Sequence, residues 1–332
     1  MEQIHHIFDI RNETEFLNEA LQLFHYQFQN NPVYRAFADG LRIDPDKVRE
    51  LKDIPFLPIE FFKTHTILPA GRRVSKKFTS SGTTGTERGY HFISDLELYD
   101  ESLLNGFIHF YHSPSRYRFL SLTPFPEQNP ESSLIYMIQR LMKESGGQGH
   151  GFYLEDFPGL HAILNEPEKE GRINFLIGLT YSLLDFTGKY RGNYPGLIVM
   201  ETGGMKGRKV EMTRGELHRL LLPAFGASVI HSEYGMTELL SQAYSDKNGI
   251  FRPVPWMKIL IREITDPLSF RDWGKTGGIN VIDLANIYSC PFIATQDLGR
   301  VYPDGSFEVL GRFDSGDIRG CSLMAGDSSI QD

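Results

Sequence analysis

Six hydroxyl side chains and two glycines fill the eight positions of Thr79-Ser-Ser-Gly-Thr-Thr-Gly-Thr86. Glycines let backbone N–H groups come close to an anion. Ser80, Ser81, Thr83 and Thr84 beside Gly82 and Gly85 add neutral donors, so the run has the makings of a phosphate cradle. No Gly-Lys-Ser/Thr follows at the Walker spacing, and plain polar loops share this composition. A second run, Glu233-Tyr-Gly-Met-Thr-Glu238, follows apolar residues 227–230, which are read as a strand. Tyr234 offers a stacking face, Gly235 close backbone approach, Thr237 a phosphate donor and Glu238 a magnesium ligand. The same residues also suit a helix start capped by Thr237. The third feature is the pair Asp297 and Arg312, on either side of the turn Tyr302-Pro-Asp-Gly305. A carboxylate accepts bonds from two ribose hydroxyls and an arginine pairs with ribose oxygens or phosphate, although a surface salt bridge beside a hairpin needs the same two residues.

The elements that must position these residues alternate. Asn12 caps a first helix with Glu15 reaching back, and Phe16, Ala20, Phe24 and Phe28 share one face until Pro32 stops it. A short helix from Asp46 and a Pro-rich extended segment over 54–63 come next. From residue 77 the pattern predicts the hydroxyl-rich loop, helices over 95–111 and 131–144, and strands over 117–122, 173–177 and 197–200. The capping pair Thr213 and Glu216 opens a further helix. Beyond residue 252 the helical period gives way to short strands over 256–264, 278–284, 288–294 and 307–309. The expectation is an α/β fold of mainly parallel sheets flanked by helices, residues 1–250, with a β-rich subdomain over 251–332.

Composition narrows the function classes. The 332 residues are 40 % apolar and 23 % charged, which fits a globular chain and not a disordered, collagenous or coiled-coil one. A net charge of −8 argues against nucleic-acid binding by phosphate neutralisation. Two cysteines make neither a disulfide framework nor a four-cysteine zinc site and point to a reducing compartment. Residues 1–10 lack the pattern of a signal peptide and no apolar run is long enough to span a bilayer, so a cytoplasmic location is expected. Most histidines show no metal-ligand spacing. His231, three residues before Tyr234, is either a neighbour of a carboxylate substrate or a packed strand end.

In this order and spacing, the three runs resemble the adenylate-forming superfamily of acyl and aryl ligases. The doublet Gly203-Gly204 resembles its adenine-contacting loop. A narrower resemblance is to the acyl-protein synthetases of the bacterial bioluminescence fatty-acid reductase system, which are related to phenylacetate-CoA ligases. It is carried by Ile54-Pro-Phe-Leu-Pro, Phe61-Phe-Lys63, Ser80-Ser-Gly-Thr-Thr-Gly85, Gly235-Met-Thr-Glu-Leu-Leu-Ser-Gln242 and Arg319-Gly-Cys-Ser322. The resemblance implies that the loop wraps the β- and γ-phosphates of ATP, Tyr234 stacks on adenine and Thr237 contacts the α-phosphate. Glu238 would hold Mg²⁺, and Asp297 and Arg312 the ribose. It implies ATP-dependent activation of a carboxylic acid, here a fatty acid, with transfer to a protein thiol and onward to an acyl-accepting reductase or carrier protein. A phenylacetate-type CoA ligase and a non-catalytic subunit that keeps nucleotide or acyl-adenylate are the alternatives.

Two departures stand out. Arg88 lies where the loop usually reaches a lysine, and only twenty residues follow Arg312, so the mobile C-terminal domain with its catalytic lysine is expected to be essentially absent. Lys206, Lys63 and some other group are all open as its replacement. Cys321, eleven residues from the end, sits where the acyl-protein synthetases carry their acceptor cysteine, and nearby Arg319 would favour its thiolate. Cys290 reads as an inert core residue.

Overall fold

Asn12 caps the first helix as expected, accepting a hydrogen bond from the Glu15 N–H at 3.0 Å. A computed structural model describes residues 4–81, 88–166, 170–203 and 212–312 of the chain. Helix α1 (Glu13–Asn30) ends before Pro32, but that proline does not halt helical structure. It occupies the first turn of α2 (Pro32–Gly40), where a missing N–H leaves no bond unmade, and Asn31 caps this second helix. Near Asp46 two isolated 3₁₀ turns replace the expected helix. The Pro-rich segment becomes β1 (Leu57–Pro58) and the single turn of α3 (Phe61–Thr64). Strands β2 (Lys76–Thr79) and β3 (Tyr90–Ile93) then pair antiparallel, so the hydroxyl-rich run begins at a hairpin base and does not lead straight into a helix.

The α/β alternation follows with α4 (Leu96–Tyr111), β4 (Tyr117–Leu122), α5 (Ser133–Ser145), β5 (Gly151–Phe152), α6 (Phe157–Asn165), β6 (Ile173–Leu179), α7 (Thr180–Thr187), β7 (Ile198–Thr202), α8 (Arg214–Phe225) and β8 (His231–Tyr234). Strand β8 starts four residues later than the apolar run suggested, because Gly226 takes the left-handed conformation that ends α8. Strands β9 (Ala243–Ser245), β10 (Arg252–Pro253), β11 (Met257–Arg262), β12 (Gly277–Asp283), β13 (Phe292–Val301) and β14 (Phe307–Arg312) complete the described chain. The strand expected over 288–294 begins only at Phe292.

Seven strands form one sheet in the order β10-β9-β8-β7-β6-β4-β5, parallel from β5 to β8 and antiparallel at β9 and β10. Alternation along the parallel strands decides the two faces. Phe119, Phe175 and Met200 point into the larger core, while Leu120, Leu176 and Val199 point into the smaller core with Leu183, Leu221 and Phe225 of α7 and α8. The second sheet runs β1-β13-β12-β11 with β14 on β13, and is antiparallel except at β1. The chain passes from one sheet to the other between β10 and β11, and we keep the division into domains at residue 250 as a proposal.

Two buried acids fasten the elements together. Glu201 on β7 accepts from Arg214 Nε at 2.7 Å, and the same guanidinium donates to the Val309 carbonyl of β14 and lies 4.7 Å from the Phe251 ring centre. Asp283, at the end of β12, accepts from the Leu240 N–H at 2.8 Å, the Ser241 N–H at 3.0 Å and the Ser241 hydroxyl at 2.5 Å. The turn after β8 is thus tied to the second sheet.

Burial alone would raise the Glu201 carboxyl, but its polar neighbours His218 and Ser232 and the Arg214 charge bring it from 4.5 down to about 2. An acid depressed in the folded state contributes stability above its unfolded value and loses it as pH falls through the folded one. Urea titrations are therefore expected to lose on the order of 2 to 3 kcal/mol between pH 5 and pH 2 that the Glu201→Gln variant, already weakened at neutral pH, does not lose. Asp283→Ala strands these three buried donors and the Ala285 N–H, which lies 3.2 Å from the same carboxylate, and is expected to cost about 3 kcal/mol or more by the same measurement, with Asp283→Asn retaining part of it.

Candidate active site

The carboxyl ends of β7 and β8 meet β13 and β14 along one seam. At the end of β8, Tyr234 packs between Phe251 and Phe307, with ring centres 5.9 and 5.5 Å away, and its hydroxyl donates to Asp297 Oδ2 at 2.8 Å. Asp297 and Arg312 face each other in register across β13 and β14, with Arg312 Nε 3.4 Å from Asp297 Oδ1. The salt bridge anticipated beside a hairpin is therefore present and is continuous with Tyr234. Asp297 is buried while the Arg312 side chain stays 67 % exposed, which leaves the guanidinium able to reach a ligand. Burial pushes the Asp297 carboxyl up, and Arg312 and the Tyr234 hydroxyl work against that rise.

Beyond Gly235 the chain turns, and Thr237 and Glu238 lie in that turn and not at a helix start. Two groups hold it besides Asp283. His91 Nδ1 lies 2.7 Å from the Thr237 carbonyl, and Asn286 Nδ2 donates to the Glu238 carbonyl at 2.8 Å. Full burial lowers His91 to about 4, so the ring is neutral, and its Nδ1 must carry the proton that the Thr237 oxygen accepts. The Glu238 side chain is buried, which pushes its carboxyl up to about 7 despite attraction from Arg312 and Lys63.

The hydroxyl-rich run reaches this carboxylate. Ser80 closes the hairpin base twice, donating its N–H to the Gly89 carbonyl at 2.9 Å and accepting the Gly89 N–H at its Oγ at 2.7 Å. A Cβ on Gly89 would lie 2.8 Å from Glu238 Oε1 and 3.3 Å from Ser80 Oγ, so any larger residue there would push the Glu238 carboxyl aside. Ser81 is exposed beside it. Gly82, Thr83, Thr84 and Gly85 lie outside the described residues, as do Gly204, Lys206 and Cys321.

Gly203, just past β7, is left-handed with φ 61°, and its carbonyl accepts from the Thr180 hydroxyl at 3.0 Å. One residue back, Thr202 donates to the buried Glu233, whose carboxyl burial and the Glu201 charge push up to about 7. Tyr234, Asp297 and Arg312 are thus linked directly, and Ser80 is joined to Glu238 through Gly89, with the chain from Tyr234 to Glu238 connecting the two sets. His231 sits at the opposite end of β8, its Nδ1 3.1 Å from the Tyr111 hydroxyl, which is the packed strand end. Arg88 is exposed, Lys77 is paired with Glu131 at 2.9 Å, and the Arg72 guanidinium lies 3.4 Å from the Tyr288 ring centre. Cys290 is buried, with its thiol pushed up to about 12 by desolvation, as the inert reading expects.

Sequence reasoning missed His91, Gly89, Asn286 and Asp283. Gly89, next to Arg88, was the only one with a local signal, a third glycine just beyond the run. Among the described residues no three His, Cys, Asp or Glu side chains form a self-sufficient metal cage. A single buried carboxylate without a lysine or arginine in ion-pair contact among the described residues suits Mg²⁺, which keeps waters and takes its other ligands from phosphates.

No protein-family model matches the chain. It is 25 % identical over 341 residues to the long-chain-fatty-acid–luciferin-component ligase of Vibrio harveyi, an alignment covering 90 % of this chain and 84 % of that one. Among solved structures, 2-hydroxyisobutyryl-CoA ligase in complex with 2-HIB-AMP and CoA, in an open conformation, matches 91 % of this chain and 70 % of its own, with TM-score 0.68 and 12 % identity. ATP-bound MatB from Rhodopseudomonas palustris matches 72 % of this chain at TM-score 0.55 and 14 % identity. The matched part is 48 % of MatB, about half its length. Both the sequence resemblance and the expected α/β architecture hold: the chain is similar along nine-tenths of its length to a fatty-acid ligase and has the fold of the acyl-CoA ligases.

Proposed function

We propose that the chain activates a fatty acid as acyl-AMP. A carboxylate oxygen attacks the α-phosphorus of ATP, the bond from that phosphorus to the oxygen bridging toward the β-phosphate breaks, and pyrophosphate leaves. The observation that carries this reading is the close approach of Gly89, itself bonded to Ser80, to Glu238, together with the linked Tyr234, Asp297 and Arg312. In this reading Ser80 and its loop would serve the phosphates, Glu238 a metal ion, and Asp297 with Arg312 the ribose. The name of the relative from Vibrio harveyi supports a long-chain acid as substrate.

Both reactants are anions, so the enzyme's task is to position and to screen. Ser80, Ser81, Gly82, Thr83, Thr84 and Gly85 would hold the terminal phosphates, with Thr237 at the α-phosphate. Tyr234, Gly235, Gly203 and Gly204 would bound the adenine, and Asp297 and Arg312 would take the ribose hydroxyls. Glu238 would hold Mg²⁺, which when bound supplies charge neutralisation on the departing pyrophosphate. The acyl group would then pass to the Cys321 thiolate, with AMP leaving, and onward to a reductase or carrier protein. Among the described residues no helix is long and apolar enough to cross a membrane, and a cytoplasmic site of action is part of the proposal. A CoA acceptor is the second reading, favoured by the fold match to a ligase solved with CoA.

Incubation with ATP, magnesium and a fatty acid is expected to give acid-dependent exchange of labelled pyrophosphate into ATP, and its absence would sink the enzymatic reading. A carboxyl raised to about 7 is protonated below that pH and must lose its proton to take a cation. Exchange at low magnesium should therefore fall about tenfold per unit below pH 7, and Glu238→Gln should leave a residual rate about a hundredfold lower without that pH limb. Labelled fatty acid should stay on the denatured protein, leave with hydroxylamine and be lost in Cys321→Ser. Soluble acyl-CoA formed equally by Cys321→Ser would instead favour the CoA reading.

A further inference from the structure

Lys63 stands on the one-turn helix α3, and that turn is held on three sides. Before it, the Ile59 N–H donates to the Ala294 carbonyl at 3.0 Å, extending the pairing of β1 with β13. At its start, Glu60 Oε1 accepts from Gln296 Nε2 at 2.6 Å, and Gln296 directly precedes Asp297. On its buried face Phe62 meets the edge of His91, ring centres 5.7 Å apart, and His91 in turn holds the Thr237 carbonyl. The helix is therefore braced against the residue before Asp297 and, through His91, against the residue before Glu238.

The half-buried Lys63 side chain lies close enough for its charge to act on the Glu238 carboxyl, yet the two do not form an ion pair. Among the described residues no other carboxylate pairs with Lys63 either. A cation and a buried acid are thus held near each other, each with its charge left over. A phosphate chain carrying a metal ion complements both at once, with anionic oxygens for the ammonium and a cation for the carboxylate. Arg88, which takes the place of a lysine in the sequence, is exposed.

We propose that Lys63 is a phosphate-contacting residue of this site, its ammonium binding an anionic oxygen of the ATP phosphate chain beside Glu238. The proposal rests on the acyl-adenylate reading and adds to it the cation that comes from the same chain. No proton moves in the step: Lys63 stays protonated while the charge of the broken phosphorus–oxygen bond passes to pyrophosphate, and the ammonium screens that charge.

The test compares ATP with adenosine, because adenosine has the base and ribose but nothing for Lys63 to hold. Lys63→Gln is expected to weaken ATP binding about tenfold or more and leave adenosine within about twofold, with Lys63→Arg restoring part of the ATP affinity. Equal losses for both ligands, or none for either, would overturn the assignment. Should Lys63→Gln not fold, Lys63→Met keeps the stem without the charge and reads the same comparison. A wild-type chain that binds ATP but catalyses no acid-dependent exchange would overturn the proposed function and still leave this comparison readable.

Discussion

The grip of Asp283 on the turn after β8 is the interaction on which the candidate site depends. Its carboxylate ends β12 in the second sheet and takes the N–H groups of Leu240 and Ser241, which follow Glu238 by two and three residues. A buried carboxylate that accepts several donors in a dry interior is rigid, because every alternative geometry leaves a donor unmet. The consequence is that Glu238 belongs to the first sheet by chain order and to the second by its anchorage. Tyr234, through its bond to Asp297, repeats that arrangement one strand end away. The seam is therefore a functional surface made from both sheets.

Three buried glutamates near this seam show how environment sorts identical side chains. Glu201 has Arg214 and His218 and is held at about 2, so it is a permanently ionised fastening. Glu233, one strand over, has the Thr202 hydroxyl as its partner and is pushed to about 7. Glu238 is also near 7, with its cations at longer range. A charge that is already neutralised contributes to the fold, whereas one that is not is available to a ligand. Of the three, Glu238 is the one that the hairpin base touches.

Much of this was legible in the sequence wherever the signal was local. The capping pairs Asn12 with Glu15 and Thr213 with Glu216 formed as expected, and the helix-strand alternation gave the parallel sheet. The order of the three motifs anticipated neighbours that the fold brings together. Local signals failed where a residue has two uses. Pro32 reads as a stop but opens a helix, and the four residues of β3 are too short a run to announce a hairpin. The supports of the site were out of reach for another reason. His91 and Thr237 are 146 residues apart, and nothing in the local pattern of either names the other. Glu60 and Phe62 read in the sequence as part of an extended segment, because their partners, Gln296 on β13 and His91 on β3, are distant in the chain.

The two hydrogen bonds between Ser80 and Gly89 bear on how the hydroxyl-rich segment can vary. Both ends of residues 81–88 are fixed to one another by the hairpin itself. The entropy of bringing those ends together is met by the fold, before any ligand arrives, and it grows only slowly with the length enclosed. Ser80 and Gly89 thus form a closed collar. Changes of length or sequence between them are expected to leave the sheets, the collar and the approach of Gly89 to Glu238 as they are.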